Sequence, residues 1–294
     1  MFNLPYIQPV FRPPSEWQSL ILQVTNGCSY NQCTFCDMYT APQKKFRARK
    51  LEELEAEIKA VAATGVSVTK VFLADGDAMT LPMRRLEAIC RLIREHLPGV
   101  RRISSYCLPR NLKNKSVEEL RLLAELGLTL VYVGCESGDD EVLAGINKGE
   151  TFESSKAALL KLGQAGIKRS VMILNGMGGK ERSQQHALNS ARLMNATQPE
   201  YLSTLVVSFP LGMDRVVAGF DGRFTPLAVE DLIAEQGWLL GELDLNSTIF
   251  RSDHASNYLV LKGTLGRDKA ALLAQIASAR DGLVPLRAEW QRGL

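Results

Sequence analysis

Six candidate strands, most of them set roughly thirty to forty residues apart and each followed by a helical pattern, constrain this chain more than any other feature. They fall at 19–25, 68–74, 101–106, 129–134, 168–175 and 201–207, and most are short apolar runs rich in Val, Ile and Leu. A run without polar alternation suits a parallel strand covered on both faces. Between them, Leu51, Leu54, Ile58 and Val61 form one helical stripe, and Leu86, Ile89, Ile93 and Leu97 another. Ser116-Val-Glu-Glu119 is a capping box, in which serine and glutamate satisfy open backbone donors at a helix start. Gly65, Gly99, Gly127 and Gly166 each precede a strand, where a left-handed residue ends a helix.

Repeated βα units with right-handed crossovers build a parallel sheet. Eight units close a full barrel. Six predict an α/β protein with a partial (β/α)6 TIM-like barrel of parallel strands, and a doubly wound open sheet is the alternative from pattern alone. Residues 1–18, with Pro5, Pro9, Pro13 and Pro14, are expected to form an irregular arm around the outside. The barrel would occupy 19–210. Residues 211–294 form a C-terminal extension expected over the barrel mouth, with a helix near 226–243, an irregular polar stretch at 246–264 and a last helix near 267–281.

Chemistry enters through three cysteines in nine residues, Cys28-Ser-Tyr-Asn-Gln-Cys33-Thr-Phe-Cys36, just after the first strand. No histidine and no fourth cysteine lie nearby, whereas a structural zinc site wants four ligands. Three thiolates suit a [4Fe–4S] cluster, which cysteines hold, and would leave one iron open for another ligand. The six cysteines, three of them clustered, read as metal ligation in a cytoplasmic protein rather than a disulfide framework. With 46% hydrophobic residues and 23% charged, the chain can bury a large core. A net charge of +3 over 294 residues does not argue for nucleic acid, despite the basic stretch Lys44, Lys45, Arg47, Arg49 and Lys50. No transmembrane run and no signal-peptide start are present, so no membrane partner is expected.

The C-x4-C-x2-C pattern with Phe35 before its last cysteine resembles the radical S-adenosylmethionine (SAM) superfamily, with one residue more than the usual first gap. The resemblance implies that Cys28, Cys33 and Cys36 hold a [4Fe–4S] cluster whose open iron chelates SAM. One electron then releases a 5′-deoxyadenosyl radical that takes hydrogen from a substrate. Tyr30 and Phe35 would flank the cofactor. Asp75-Gly76-Asp77-Ala78 after the second strand looks like the family's Gly-Gly-Glu-Pro motif, which places Gly76 and Asp77 at the SAM amino group. An ordinary Asp-Gly turn is the plainer reading. Ser105 at the third strand end would face SAM or substrate, or is an interior hydroxyl.

The stretch Gly134-Cys135-Glu136-Ser137-Gly138, continuing to Lys148, resembles the branch that holds the anaerobic coproporphyrinogen oxidases and tRNA methylthiotransferases. That implies ribose contacts from Glu136 and Ser137 and a carboxylate contact from Lys148, which could equally be a solvated helix-end charge. Leu174, Asn175, Gly176 and Met177 would pack against adenine. The glycines there do not make a P-loop, because Glu181 stands where Ser or Thr is needed. Cys107 and Cys135 are small buried hydrophobes or hydrogen donors to a substrate radical. In the polar stretch 250–258, Arg251, His254 and Asn257 are candidate substrate contacts, or parts of a surface turn. His96 and His186 look structural or exposed. The resemblance further implies an electron donor such as flavodoxin or ferredoxin. Without a recognisable tRNA-binding tail, second cluster domain or cobalamin domain, a small-molecule substrate is expected. The competing reading is a non-catalytic iron–sulfur or zinc protein, a carrier or nucleic-acid module.

Overall fold

The computed structural model describes residues 4–292. The chain divides into two compact units, one of Met1–Asn31, Met38–Val133 and Leu160–Arg169, the other of Gln32–Asp37, Gly134–Leu159 and Ser170–Leu294. In chain order the first elements are β1 (Leu20–Gln23), β2 (Thr25–Asn26), β3 (Arg47–Ala48), α1 (Leu51–Ala63), β4 (Lys70–Ala74), α2 (Met83–His96), β5 (Arg102–Cys107), α3 (Val117–Glu125) and β6 (Leu128–Glu136). There follow α4 (Asp140–Gly145), α5 (Phe152–Gln164), β7 (Lys168–Asn175), α6 (Gly179–Thr197), β8 (Tyr201–Val206), α7 (Asp214–Gly219), α8 (Val229–Glu242), β9 (Ile249–Ser252), β10 (Leu261–Thr264) and α9 (Lys269–Arg280).

All six expected strands are present. In the first unit β1, β4, β5 and β6 pair in parallel, with Leu20 opposite Val71, Val71 opposite Ile103 and Ser104 opposite Leu130. The run β6 is buried along almost its whole length, as a strand covered on both faces must be. The capping box of α3 is complete: Glu119 N donates to Ser116 Oγ at 3.1 Å, and Ser116 N to Glu119 Oε2 at 2.8 Å. Gly127, at φ +108°, occupies a backbone conformation closed to residues with a Cβ. Gly99 does not take the expected left-handed turn; it faces the Val68 carbonyl, where a Cβ would sit 3.2 Å away.

The N-terminal arm is not confined to the outside. Glu16 is fully buried, accepting from Arg102 Nη2 at 2.8 Å and the Tyr132 hydroxyl at 2.6 Å. A buried carboxylate needs such partners. Tyr132, Phe72 and Tyr106 meet edge to face around it, with ring centroids 5.2–6.2 Å apart.

In the second unit β7, β8 and β9 are parallel and β10 returns antiparallel to β9. The stretch 246–264 is therefore not irregular. Ile249–Ser252 continues the sheet beside β8, because Asn257 completes its edge: Nδ2 donates to Thr204 O at 2.8 Å and to Ser252 Oγ at 3.1 Å, while Oδ1 accepts from Val206 N at 2.8 Å. Helix α8 packs along α6 and against α9. Among the described residues no helix is long and apolar enough to cross a membrane.

Candidate functional site

The cysteine segment begins in the first unit and ends in the second. In the first, Gly27 at φ +72° turns the chain into Cys28, which is half-buried. Asn31 Nδ2 donates to Tyr39 O at 3.0 Å, and the Arg110 guanidinium lies 3.7 Å from the Tyr30 ring centre, a stacked cation–π contact. At the end of β4, Gly76 lies so close to the Tyr39 ring that a Cβ would overlap it, which by itself explains the glycine. Asp77 is buried and accepts from the Ser29 hydroxyl. Burial raises its carboxyl above the usual range, and the Ser29 bond only partly offsets this. Ser105 Oγ lies 3.1 Å from Leu73 O and 3.0 Å from Tyr106 O and can donate its one proton to either, so its hydroxyl is an interior, satisfied group.

In the second unit Thr34 N donates to Ile146 O at 2.9 Å, and Asn147 Nδ2 to Gln32 O at 3.1 Å. These bonds fix the segment that carries the half-buried Cys33 and Cys36. Phe35 packs on an apolar cluster of Val142, Leu143, Ile146, Met177, Val216 and Phe224. Arg215 pairs with Asp37 just beyond Cys36.

Glu136, at φ +63°, holds a conformation uncommon for a residue with a side chain. Its carboxylate accepts from Lys148 Nζ at 2.8 Å, and any side chain at Gly134 would strike it. Lys148 is 4% exposed and no solvated helix-end charge. Burial alone would lower its pKa, but Glu136 first and then Cys33 outweigh burial and raise it, so the ammonium stays charged.

Ser137 has its hydroxyl engaged by His186 Nδ1 at 2.7 Å and by Asp139 N at 2.9 Å. His186 is 1% exposed and not a surface residue; its Nε2 lies 3.0 Å from Leu174 O. Glu235, on α8, accepts at Oε1 from Asn175 Nδ2 at 2.8 Å and Gly176 N at 2.6 Å, and at Oε2 from Ser183 Oγ at 2.5 Å. It escaped sequence reading because α8 is distant in the chain and its face pattern marks Glu235 only as one polar residue among several. Leu174 and Met177 pack on the apolar cluster that seats Phe35.

The remaining candidates divide. Cys135 and Cys107 are buried, and burial pushes the Cys135 thiol up to about 12. Cys107 donates to Leu108 O at 3.4 Å. Asn257 is occupied by the β8–β9 edge and is not open to a substrate. His254 turns to Ser256 Oγ at 2.9 Å, with burial lowering its pKa, and Arg251 is exposed. Among the described residues no side-chain hydrogen bond joins these three.

None of the six cysteines is in a disulfide. Among the described residues no three His, Cys, Asp or Glu side chains are drawn together at metal-holding distance, so the fit to a cluster rests on the donors. Three half-buried thiols on one short segment are the donor set an iron–sulfur cluster takes, and in the second unit the buried Lys148 lies within electrostatic reach of Cys33.

Residues 22–194 match the family model described as the Radical SAM superfamily. A 4'-phospho-dehydrooxetanocin synthase from Priestia megaterium is 25% identical over 165 residues, which cover 51% of this chain and 22% of that protein. The chain thus spans about a fifth of that relative's length. Coproporphyrinogen III oxidase (HemN) from Escherichia coli superposes with a TM-score of 0.57 at 16% identity, over 76% of this chain and 52% of that one. The radical SAM methyltransferase TsrM from Kitasatospora setae, solved with cobalamin and a [4Fe-4S] cluster, gives 0.51 at 24% identity, over 63% and 36%.

Proposed function

The chain belongs to the radical SAM superfamily, and from that premise we propose that it cleaves SAM reductively and takes hydrogen from a small organic substrate. Its members are enzymes that use a [4Fe–4S] cluster and SAM, and the chain is one of them. The mostly parallel α/β sheet is the partial-barrel fold of that superfamily.

Cys28, Cys33 and Cys36 would hold the cluster. When bound and reduced it supplies the electron that cleaves SAM to a 5′-deoxyadenosyl radical. Lys148, kept charged by Glu136, would offer a cation to the SAM carboxylate, and Glu136 would accept from the ribose hydroxyls. Asp77, buried and short of partners for a full charge, gains one from the SAM ammonium. Gly76, packed against the Tyr39 ring, would offer its backbone carbonyl to that amino group, and Tyr30 and Phe35 would flank the cofactor. Asn175 and Gly176, pinned by Glu235, would pack with Leu174 and Met177 against adenine. Ser137 acts through Asp139 and His186 rather than by direct contact.

The observation that carries this reading is the cysteine segment seated through Phe35 on an apolar cluster beside a buried Lys148–Glu136 pair. A small-molecule substrate accords with the methyltransferase solved with tryptophan substrate. Flavodoxin or ferredoxin in the cytoplasm would supply the electron. The non-catalytic alternative has no observation in its favour. Anaerobic reconstitution tests the proposal: four irons per chain and dithionite-dependent 5′-deoxyadenosine are expected, and a protein that binds iron but never cleaves SAM would refute it.

A further inference from the structure

We infer that Asp75 is the positioning residue that clamps both ends of the cysteine loop through one carboxylate oxygen. The inference rests on the reading of Cys28, Cys33 and Cys36 as cluster ligands. Asp75 follows β4 and is 0% exposed. Its Oδ2 accepts from Gln23 Nε2 at 3.2 Å, from Gly27 N at 3.1 Å and from Lys44 Nζ. Gly27 is the residue before Cys28, and Lys44 lies beyond Cys36, so the loop's entry and exit meet on one atom. Lys44 is also fully buried and gives a second bond to Ile7 O at 2.9 Å.

Neighbouring contacts repeat the closure. A Cβ at Gly27 would overlap the Lys44 carbonyl, so the two strands of the neck touch. Asn26 Nδ2 spans the same neck to Gln43 O at 2.7 Å and Lys45 O at 2.9 Å. Thr25 and Asn26 pair there with Ala48 and Arg47. Gln23 reaches Ile7 with both ends of its amide, accepting from Ile7 N at 2.8 Å and donating to Ile7 O at 3.1 Å.

A buried ion pair is a weak stabiliser, since apolar residues of like volume often serve as well. Asp75 Oδ1, moreover, has no hydrogen-bond partner among the described residues. Stability alone therefore does not account for a carboxylate here. Its oxygen Oδ2 does something an apolar residue cannot: it holds an amide and an ammonium at a common point. Closing the loop in advance lowers the entropy lost when three thiolates gather on one group.

The test compares full-length protein, reconstituted anaerobically, with Asp75→Asn and with Lys44→Met/Asp75→Leu. Iron loss to a ferrous chelator is followed by the visible absorbance, and unfolding midpoints by circular dichroism. The double variant should fold with a midpoint near wild type yet release iron about tenfold faster, the scale seen when support behind metal ligands is removed. Asp75→Asn, which keeps one acceptor oxygen, should release iron at an intermediate rate, and release as slow as wild type from the folded double variant overturns the inference. Amide hydrogen exchange on the unmodified apoprotein decides the matter independently of any variant. Slow exchange at Gly27 supports the clamp, and exchange as fast as in an exposed loop overturns it. A wild-type chain that takes up no iron would refute the cluster reading instead, while the exchange result would still judge the clamp.

Discussion

Replacing Glu235 with leucine should destabilise the protein by about 2–4 kcal/mol, and the figure comes from what its carboxylate satisfies. Glu235 is 2% exposed and receives the Gly176 amide, the Asn175 side chain and the Ser183 hydroxyl. Each buried donor left without an acceptor costs roughly 1–3 kcal/mol. Asn175 has a second acceptor in Leu232 O at 3.3 Å, so the loss falls on Gly176 and Ser183. Leucine returns part of that by removing a buried carboxylate, which is costly to desolvate. Glu235→Gln keeps an oxygen for Gly176 N and offers its NH2 to Ser183, so about 1 kcal/mol is expected. Urea unfolding followed by the fluorescence of Trp238, on the same helix, measures both. A leucine variant within about 0.5 kcal/mol of wild type, the range of an ordinary surface change, would refute the reasoning. So would a glutamine variant as damaged as the leucine one.

Cys33→Ala should lose the visible absorbance of the reconstituted protein, whereas Cys135→Ala should keep it; retained absorbance in the first would remove Cys33 from the ligand set. In the apoprotein at about pH 8, near the ordinary thiol pKa, iodoacetamide should label Cys28, Cys33 and Cys36 and spare Cys90 and Cys135. Burial pushes the latter two thiols up to about 12. Equal labelling of Cys135 by peptide mapping would contradict that burial. Burial alone would raise the Asp139 pKa, but bonds from Arg182, Val142 N and Asn189 hold it below the ordinary value. Its stabilisation is therefore complete above the unfolded pKa near ~3.9 and is lost as pH falls through the lower folded value. Asp139→Asn should flatten the acid limb of the unfolding midpoint, and an unaltered limb would count against the assignment.

Much of the fold was legible because the interactions that set it are local. Most of the six strands announce themselves as apolar runs, and Ser116 with Glu119 caps α3 from within four positions. The cysteine segment was equally plain, since ligand type and spacing lie in nine adjacent residues. Some side chains were misread because their partners are far away in sequence. Asn257 looked like a substrate contact, and its polarity is instead used to finish the edge of β8 and β9. His186, read as structural or exposed, is the structural one, and which groups it links, Ser137 and the Leu174 carbonyl, only the fold shows.

The amino-acid sequence by itself determined the alternation of strand and helix, the helix ends and the three-thiol loop, since each follows from bonds and steric limits within a few residues. Only the tertiary structure decided which charges would be buried together: Lys148 with Glu136, Lys44 with Asp75, and Glu235 against the end of β7. A lone charge is tolerated almost anywhere on a surface. It acquires one definite partner only when the folded backbone removes water and leaves a single group within reach.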